Sequence, residues 1–228
     1  MHKRVEDLLQ NPAIRLMGEA ARVGPQAIPT GFPELDRLLP GGGWPDGSLV
    51  EILIEHQGVG ELSLLMPALA ALSTGDRWLA WVSPPHIPYG PALAARGVAL
   101  QRVLLVHARP GRDNLWALEQ MLAAGTCRVV LAWLGEGVDG RALRRLQLAA
   151  EAGKSTGFLF RPGVLDSLPT PAALRLGLSP AETGLEVRVL KCRGRSGTAV
   201  VVDVDDALAE PLFPTPAPRS ARARLLRH

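Results

Sequence analysis

The sequence has few aromatic residues, only two cysteines and no long apolar run, and each shortage excludes a class of protein. Aromatic residues make up 4% of the 228 residues, so aliphatic side chains must supply most of the core. Cys127 and Cys192 belong to no C-x-x-C pair, which argues against a zinc site and a disulfide framework. No apolar run reaches the roughly 20 residues of a membrane span and the polar start shows no signal peptide, so we expect a cytoplasmic protein without membrane contact.

Basic charge is concentrated at the C-terminus. Residues 211–228 contain no acidic residue and four arginines: Arg219, Arg222, Arg224 and Arg227. These contribute +4 to a net charge of +3, which leaves residues 1–210 with one net negative charge. Any basic contact surface is therefore expected to be local, and the tail arginines are candidates to bind a partner protein or the DNA backbone.

Length and composition predict one core domain with two extensions. Hydrophobic residues make up 47% of the chain and charged residues 21%, which is ordinary for a globular protein. Helical spacing broken by Asn11-Pro12 predicts an N-terminal helical extension over residues 1–27. The core domain is expected over residues 28–210, and residues 211–228 form a Pro/Arg-rich tail.

Strand-like and helix-like segments alternate through the core. The apolar run SLVEILI, residues 48–54, predicts a strand buried on both faces, and βα units follow as far as residue 163. Two β-rich runs around a Gly-rich basic turn, residues 184–205, predict a C-terminal hairpin. Together they predict an α/β fold with a mostly parallel sheet, helices on both faces and a hairpin at the sheet's edge.

The entry to the core resembles that of the RecA recombinase family, in which an I-x-T-G-x-x-x-L-D-x-x-L-x-x-G-G-x-P-x-G pattern precedes the first strand and the phosphate loop. The matching residues are Ile28, Thr30, Gly31, Leu35, Asp36, Leu39, Gly42, Gly43, Pro45 and Gly47. This resemblance, which extends over most of residues 28–206, implies that the sheet is RecA-like.

The segment at the position of the phosphate loop lacks most of the residues that bind phosphate and magnesium. A P-loop needs G-x-x-x-x-G-K-S/T, because backbone N–H groups wrap phosphate, lysine neutralises charge and the hydroxyl binds magnesium. With its second glycine aligned on Gly60, the loop has Glu55 at the first glycine, Glu61 at the lysine and Leu62 at the hydroxyl, and it retains Gly58. A carboxylate 4 Å from a phosphate charge costs roughly 4 kcal/mol at an effective dielectric constant of about 20.

Two further positions also lack the acidic residues that an ATP site needs. Trp133 stands where the metal-binding acid that ends a later strand is expected. Pro85 stands where the water-orienting acid is expected, next to His86, a lone loop histidine of the kind that is usually structural or solvated. We therefore expect no ATP hydrolysis, no cofactor and no metal site.

A RecA-like core that keeps its entry motif but loses three ATP elements is similar to the ImuA family of bacterial translesion-synthesis proteins. The resemblance implies a non-enzymatic adaptor of mutagenic repair in the SOS response. Its partners would be ImuB, an inactive Y-family polymerase homologue, and an error-prone replicative-type polymerase, with RecA as a further candidate. Two alternative functions are the regulation of RecA filaments and the inhibition of cell division in the manner of SulA. A third alternative is a RecA-type ATPase with unusual loop chemistry.

Overall fold

The computed structural model describes residues 27–56, 58–109, 111–163, 168–192 and 197–204. The predicted N-terminal helices, the hairpin turn and the basic tail lie outside these residues. The strands are β1 (Ala27–Ile28), β2 (Trp44–Pro45), β3 (Leu49–Ile54), β4 (Trp78–Val82), β5 (Val103–Val106), β6 (Cys127–Trp133), β7 (Thr156–Pro162), β8 (Leu174–Pro180), β9 (Leu185–Lys191) and β10 (Thr198–Val202). The α-helices are α1 (Pro33–Leu38), α2 (Met66–Ser73), α3 (Gly90–Ala95), α4 (Arg112–Ala123) and α5 (Gly140–Gly153), with short 3-10 turns at Ser63–Leu65 and Leu100–Arg102.

Eight of the strands form one sheet in the order β10-β9-β8-β3-β7-β6-β4-β5, while β1 and β2 pair separately. The strands from β8 to β5 are parallel to their neighbours, and β9 and β10 are added antiparallel. All six residues of β3 are buried between β7 and β8. Burial on both faces explains why the sequence of this strand is almost continuously apolar.

The sheet is mixed, so the predicted RecA-like, mostly parallel sheet with helices on both faces is wrong. Apolar residues of α1, α2 and α3 form one cluster with the first face of the sheet, where α1 packs against β10. Apolar residues of α4 and α5 cover the second face over β3, β4, β6 and β7. Over β9 and β10 that second face carries exposed side chains such as Arg188 and Val201. Helices therefore do not cover both faces across the whole width of the sheet.

A buried ion cluster lies on the same side of β3 as α5. Glu51 is fully buried, and its carboxylate binds Arg161 of β7 at 2.7 Å and Arg175 of β8 at 2.8 Å. Burial alone would raise the pKa of Glu51, but hydrogen bonds from Thr170 and Arg161 and the charge of Arg175 outweigh it. The pKa of Glu51 therefore lies below its ordinary value, and side chains as well as main-chain hydrogen bonds join the three strands.

Candidate functional site at the carboxyl edge of the sheet

The carboxyl ends of β3, β4 and β6 surround a cleft of about 300 Å³. In open parallel sheets this edge is the usual place for a ligand, because the connections that follow the strands leave a crevice there. We call this cavity the cleft, and its lining residues are Gly58, Gly60, Glu61, Leu62, Ser63, Trp81, Pro84, Pro85, His86, Ile87, Pro88 and Trp133.

The degenerate phosphate loop forms one wall of the cleft. Gly58 and Gly60 have φ angles of +84° and +101°, which glycine adopts without strain. The N–H of Gly58 donates to both carboxylate oxygens of Glu61, each at 3.2 Å, and Glu61 is 6% exposed. An acidic side chain thus occupies a main-chain donor of the kind that would bind phosphate in a P-loop.

The connection from β4 to α3 forms the opposite wall. It begins at Ser83, a non-glycine residue with a φ of 47°, whose N–H donates to the carbonyl oxygen of Val106. The Ser83 hydroxyl also donates to the carbonyl oxygen of Ala108 and accepts from its N–H. These bonds anchor the wall to the end of β5. Beyond them, Ile87 and Tyr89 are 79% and 72% exposed.

Aromatic side chains form the floor of the cleft. Trp81 and Trp133 lie with ring centroids 6.1 Å apart, and Trp133 stacks on Phe160 at 4.8 Å. Trp81 is fully buried and Trp133 partly buried, and neither indole N–H has an acceptor in the described part of the chain. An unpaired buried donor costs about 1–3 kcal/mol, so each of these two indole N–H groups lowers the stability of the floor.

The structure brings together only part of the predicted site. Gly58, Gly60, Glu61 and Leu62 line the cleft, whereas Glu55 is exposed at the end of β3 and lines the neighbouring cavities. Arg219, Arg222, Arg224 and Arg227 lie outside the described residues.

The aromatic floor and the exposed Ile87 and Tyr89 were not predicted as site residues. Trp133 and Pro85 were considered only as replacements of two acids of an ATP site, and His86 only as a lone loop histidine. A signal was present, since both tryptophans lie at or next to the carboxyl ends of apolar strands, where open parallel sheets usually bind ligands.

The cleft is suited to binding apolar groups rather than to known catalytic chemistry. Among the described residues that line it, His86 is the one basic residue and Glu61 the one acidic residue, and Glu61 is bound to Gly58. No group of three His, Cys, Asp or Glu side chains that could hold a metal ion occurs among the described residues. No helix in the described part of the chain is long and apolar enough to cross a membrane. Fold and cleft together define a mixed-sheet α/β protein with a mainly apolar cleft where a nucleotide site would lie.

Comparison with known proteins identifies the family. A family model described as "Cell division inhibitor SulA" matches residues 47–157. The chain is 36% identical over 115 residues to the cell division inhibitor SulA of Edwardsiella piscicida, covering 49% of this chain and 68% of that relative. For SulA of Serratia proteamaculans the identity is 30% over 120 residues, covering 53% and 71%. The chain belongs to the SulA family of cell division inhibitors.

Other relatives are matched over a shorter stretch. SulA of Pectobacterium carotovorum is 34% identical over 99 residues, which cover 43% of this chain and 59% of that relative. The crystal structure of SulA from Pseudomonas aeruginosa is 29% identical, with a TM-score of 0.42, and the match covers 50% of this chain and 98% of that one.

The family match corrects the functional expectations. The resemblance to ImuA is wrong, and with it the role in mutagenic translesion synthesis. The expected partners, an ImuB-like Y-family homologue, an error-prone polymerase, RecA and DNA, are wrong as well, because the relatives are named as inhibitors of cell division. Inhibition is a regulatory role, which agrees with a protein that is not an enzyme. The entry motif misled the prediction, because it indicates how the chain leads into an α/β sheet and does not indicate what the protein does.

Proposed function

We propose that this chain inhibits cell division by binding a protein of the division machinery through the cleft at the carboxyl edge. One observation carries the proposal: the stretch matched by the SulA family model, residues 47–157, contains every residue that lines the cleft. The family's common segment therefore builds this surface. The exposed Ile87, which lines the cleft, and Tyr89, two residues further along the same connection, provide apolar area of the kind that protein partners bury.

The proposed inhibitor acts without nucleotide. The carboxylate of Glu61 accepts the N–H of Gly58, and Leu62 has no hydroxyl that could bind a metal ion. Inhibition would then be stoichiometric, with one bound inhibitor blocking one target molecule. We place the protein in the cytoplasm and in the SOS response, where a temporary arrest of division allows DNA damage to be repaired.

Controlled expression of the full chain in a Gram-negative bacterium tests this function. We expect cells to elongate into filaments that continue to grow in mass and replicate DNA, with the effect rising in proportion to protein level. A catalytic inhibitor would saturate at low protein level. Cells that divide normally at high levels of folded protein would refute the proposal.

A further inference from the structure

The connection from β4 to α3 supplies much of the cleft. Five of the residues that line the cleft lie in it: Pro84, Pro85, His86, Ile87 and Pro88. Three of these are prolines, whose rings fix the φ angle at about −65°. A segment so rich in proline bends little within itself, so its orientation depends mainly on the residues at its two ends.

Ser83, at the first end, has a conformation that its sequence does not favour. Its φ angle of 47° lies in the left-handed region, which is uncommon for a residue other than glycine. It also precedes Pro84, and a residue before proline favours an extended backbone. Without other contacts, Ser83 would therefore relax towards the extended conformation and turn the connection away from its present position.

Contacts of Ser83 with the end of β5 oppose this relaxation. The hydroxyl of Ser83 donates to the carbonyl oxygen of Ala108 at 3.2 Å and accepts from the N–H of Ala108 at 3.3 Å. Its N–H donates to the carbonyl oxygen of Val106 at 2.8 Å. Ala108 is itself held, since it packs against the apolar cluster of α4 and α5. The two hydroxyl bonds depend on the serine side chain, whereas the main-chain bond is open to any residue except proline.

The second end is fastened to the opposite wall of the cleft. Arg96, which follows α3, donates from Nη1 to the hydroxyl of Ser63 at 3.1 Å, and Ser63 lines the cleft on the side of the phosphate loop. Leu93 of α3 is buried in the cluster on the first face of the sheet. Because α3 is held in this way, a movement of the connection has to begin at Ser83.

We propose that the Ser83 hydroxyl is the positioning group of the cleft. It holds the β4–α3 connection in one orientation and so keeps Ile87, which is 79% exposed, in place for a partner. A wall that is fixed before binding loses less conformational entropy when the partner binds, which favours affinity. The link to the partner rests on the proposed function, whereas the link to the wall rests on the contacts of Ser83 alone.

Nitrogen-15 relaxation of the full chain tests the positioning without a partner. The N–H groups of His86, Ile87 and Tyr89 report on the connection, and in the wild type their order parameters should be about 0.85, the value of rigid backbone. We expect Ser83→Ala to lower all three below about 0.6. Ser179→Ala removes the same atom from β8, outside the cleft, and should leave them unchanged.

Ser83→Gly separates positioning from a merely structural role. Glycine adopts a positive φ without strain, so this variant should melt at a higher temperature than Ser83→Ala. Both variants lack the hydroxyl, so we expect the connection to be loose in both. Order parameters at the wild-type level in either folded variant would overturn the proposal, because the hydroxyl would then contribute to stability alone.

Arrest of cell division gives a second readout, which depends on the proposed function. At equal levels of folded protein, Ser83→Gly should arrest division less strongly than the wild-type chain, although its backbone strain is relieved. Equal potency with a loosened connection would overturn the link between Ser83 and the partner. A wild-type chain that arrests nothing would refute the proposed function, and the relaxation data on purified protein would still decide whether Ser83 positions the wall.

Discussion

At the scale of single residues, Glu61 decides what the phosphate-loop wall can bind. Its carboxylate accepts from the N–H of Gly58 and places negative charge where a lysine would meet phosphate. The loss of the P-loop residues was readable from sequence, because each has a fixed spacing. The hydrogen bond from Gly58 was not, since it depends on a loop conformation with two positive φ angles.

We expect calorimetry to show no binding of magnesium-ATP to the wild-type chain at millimolar concentration. Glu61→Lys should gain weak binding, because it removes a repulsion of about 4 kcal/mol at 4 Å and adds an attraction. Glu136→Lys makes the same charge change at an exposed site outside the cleft, and should gain none. ATP binding by the wild-type chain, or an equal gain in both variants, would contradict the role assigned to Glu61.

Glu51 is the residue on which acid stability should depend most. Because its pKa is lowered in the folded protein, its stabilising contribution is complete above its ordinary value of 4.5 and is lost as the pH falls below that value. Glu51→Gln leaves Arg161 and Arg175 without a buried counter-charge, so the free energy of unfolding at pH 7 should fall by about 3–5 kcal/mol.

Urea unfolding between pH 7 and pH 3 measures both effects. The wild-type chain should lose stability below pH 4.5 more steeply than Glu51→Gln does. Glu119→Gln is the control, because Glu119 pairs with Arg145, whose side chain is 65% exposed, and it should cost less than about 1 kcal/mol. An equal loss of unfolding free energy in the two variants would show that the buried cluster stabilises the protein no more than the exposed ion pair does.

At the scale of elements, the end of α4 lies directly against Gly153 of α5. A Cβ placed there would lie 2.0 Å from the carbonyl oxygen of Leu122, at the end of α4. Most of the helices and strands were predictable because their apolar periodicity is clear. Asp139 caps α5, since its carboxylate accepts the N–H of Ala142 at 2.8 Å.

Strand β8 was missed for a physical reason. Its sequence LRLGLSP contains Arg175 and Gly177, and no local pattern shows that Arg175 is neutralised by Glu51 on β3. The mixed character of the sheet follows from that strand, since β8 is where the parallel part meets the antiparallel β9.

Gly153→Ala should destabilise the protein by about 1–3 kcal/mol, because the backbone of α4 must move to admit the methyl group. Gly140→Ala, at the first residue of the same helix, meets no atom within 4 Å and should be neutral or slightly stabilising. Thermal unfolding of both variants measures the difference. Similar melting temperatures would show that the two helices are not in close contact at Gly153.

At the scale of the whole molecule, the fold forms the cleft at the carboxyl edge of the sheet, and the family match indicates the function. A parallel sheet gathers the β3 loop, the β4–α3 connection and the end of β6 at one place, and the side chains there are apolar and aromatic. The α/β class could be predicted from alternation along the chain. Inhibition of cell division was predicted only as an alternative, because a binding surface for a protein has no fixed spacing of chemical groups.

Cell length after expression of two matched variants tests the central claim that the cleft is the inhibitory surface. Ile87→Asp places a charge on the rim of the cleft, and Trp116→Asp places one at another exposed apolar site, on α4. At equal levels of folded protein, we predict that Ile87→Asp cells return to normal length while Trp116→Asp cells form filaments like the wild type. Filaments of full length with Ile87→Asp would contradict the account.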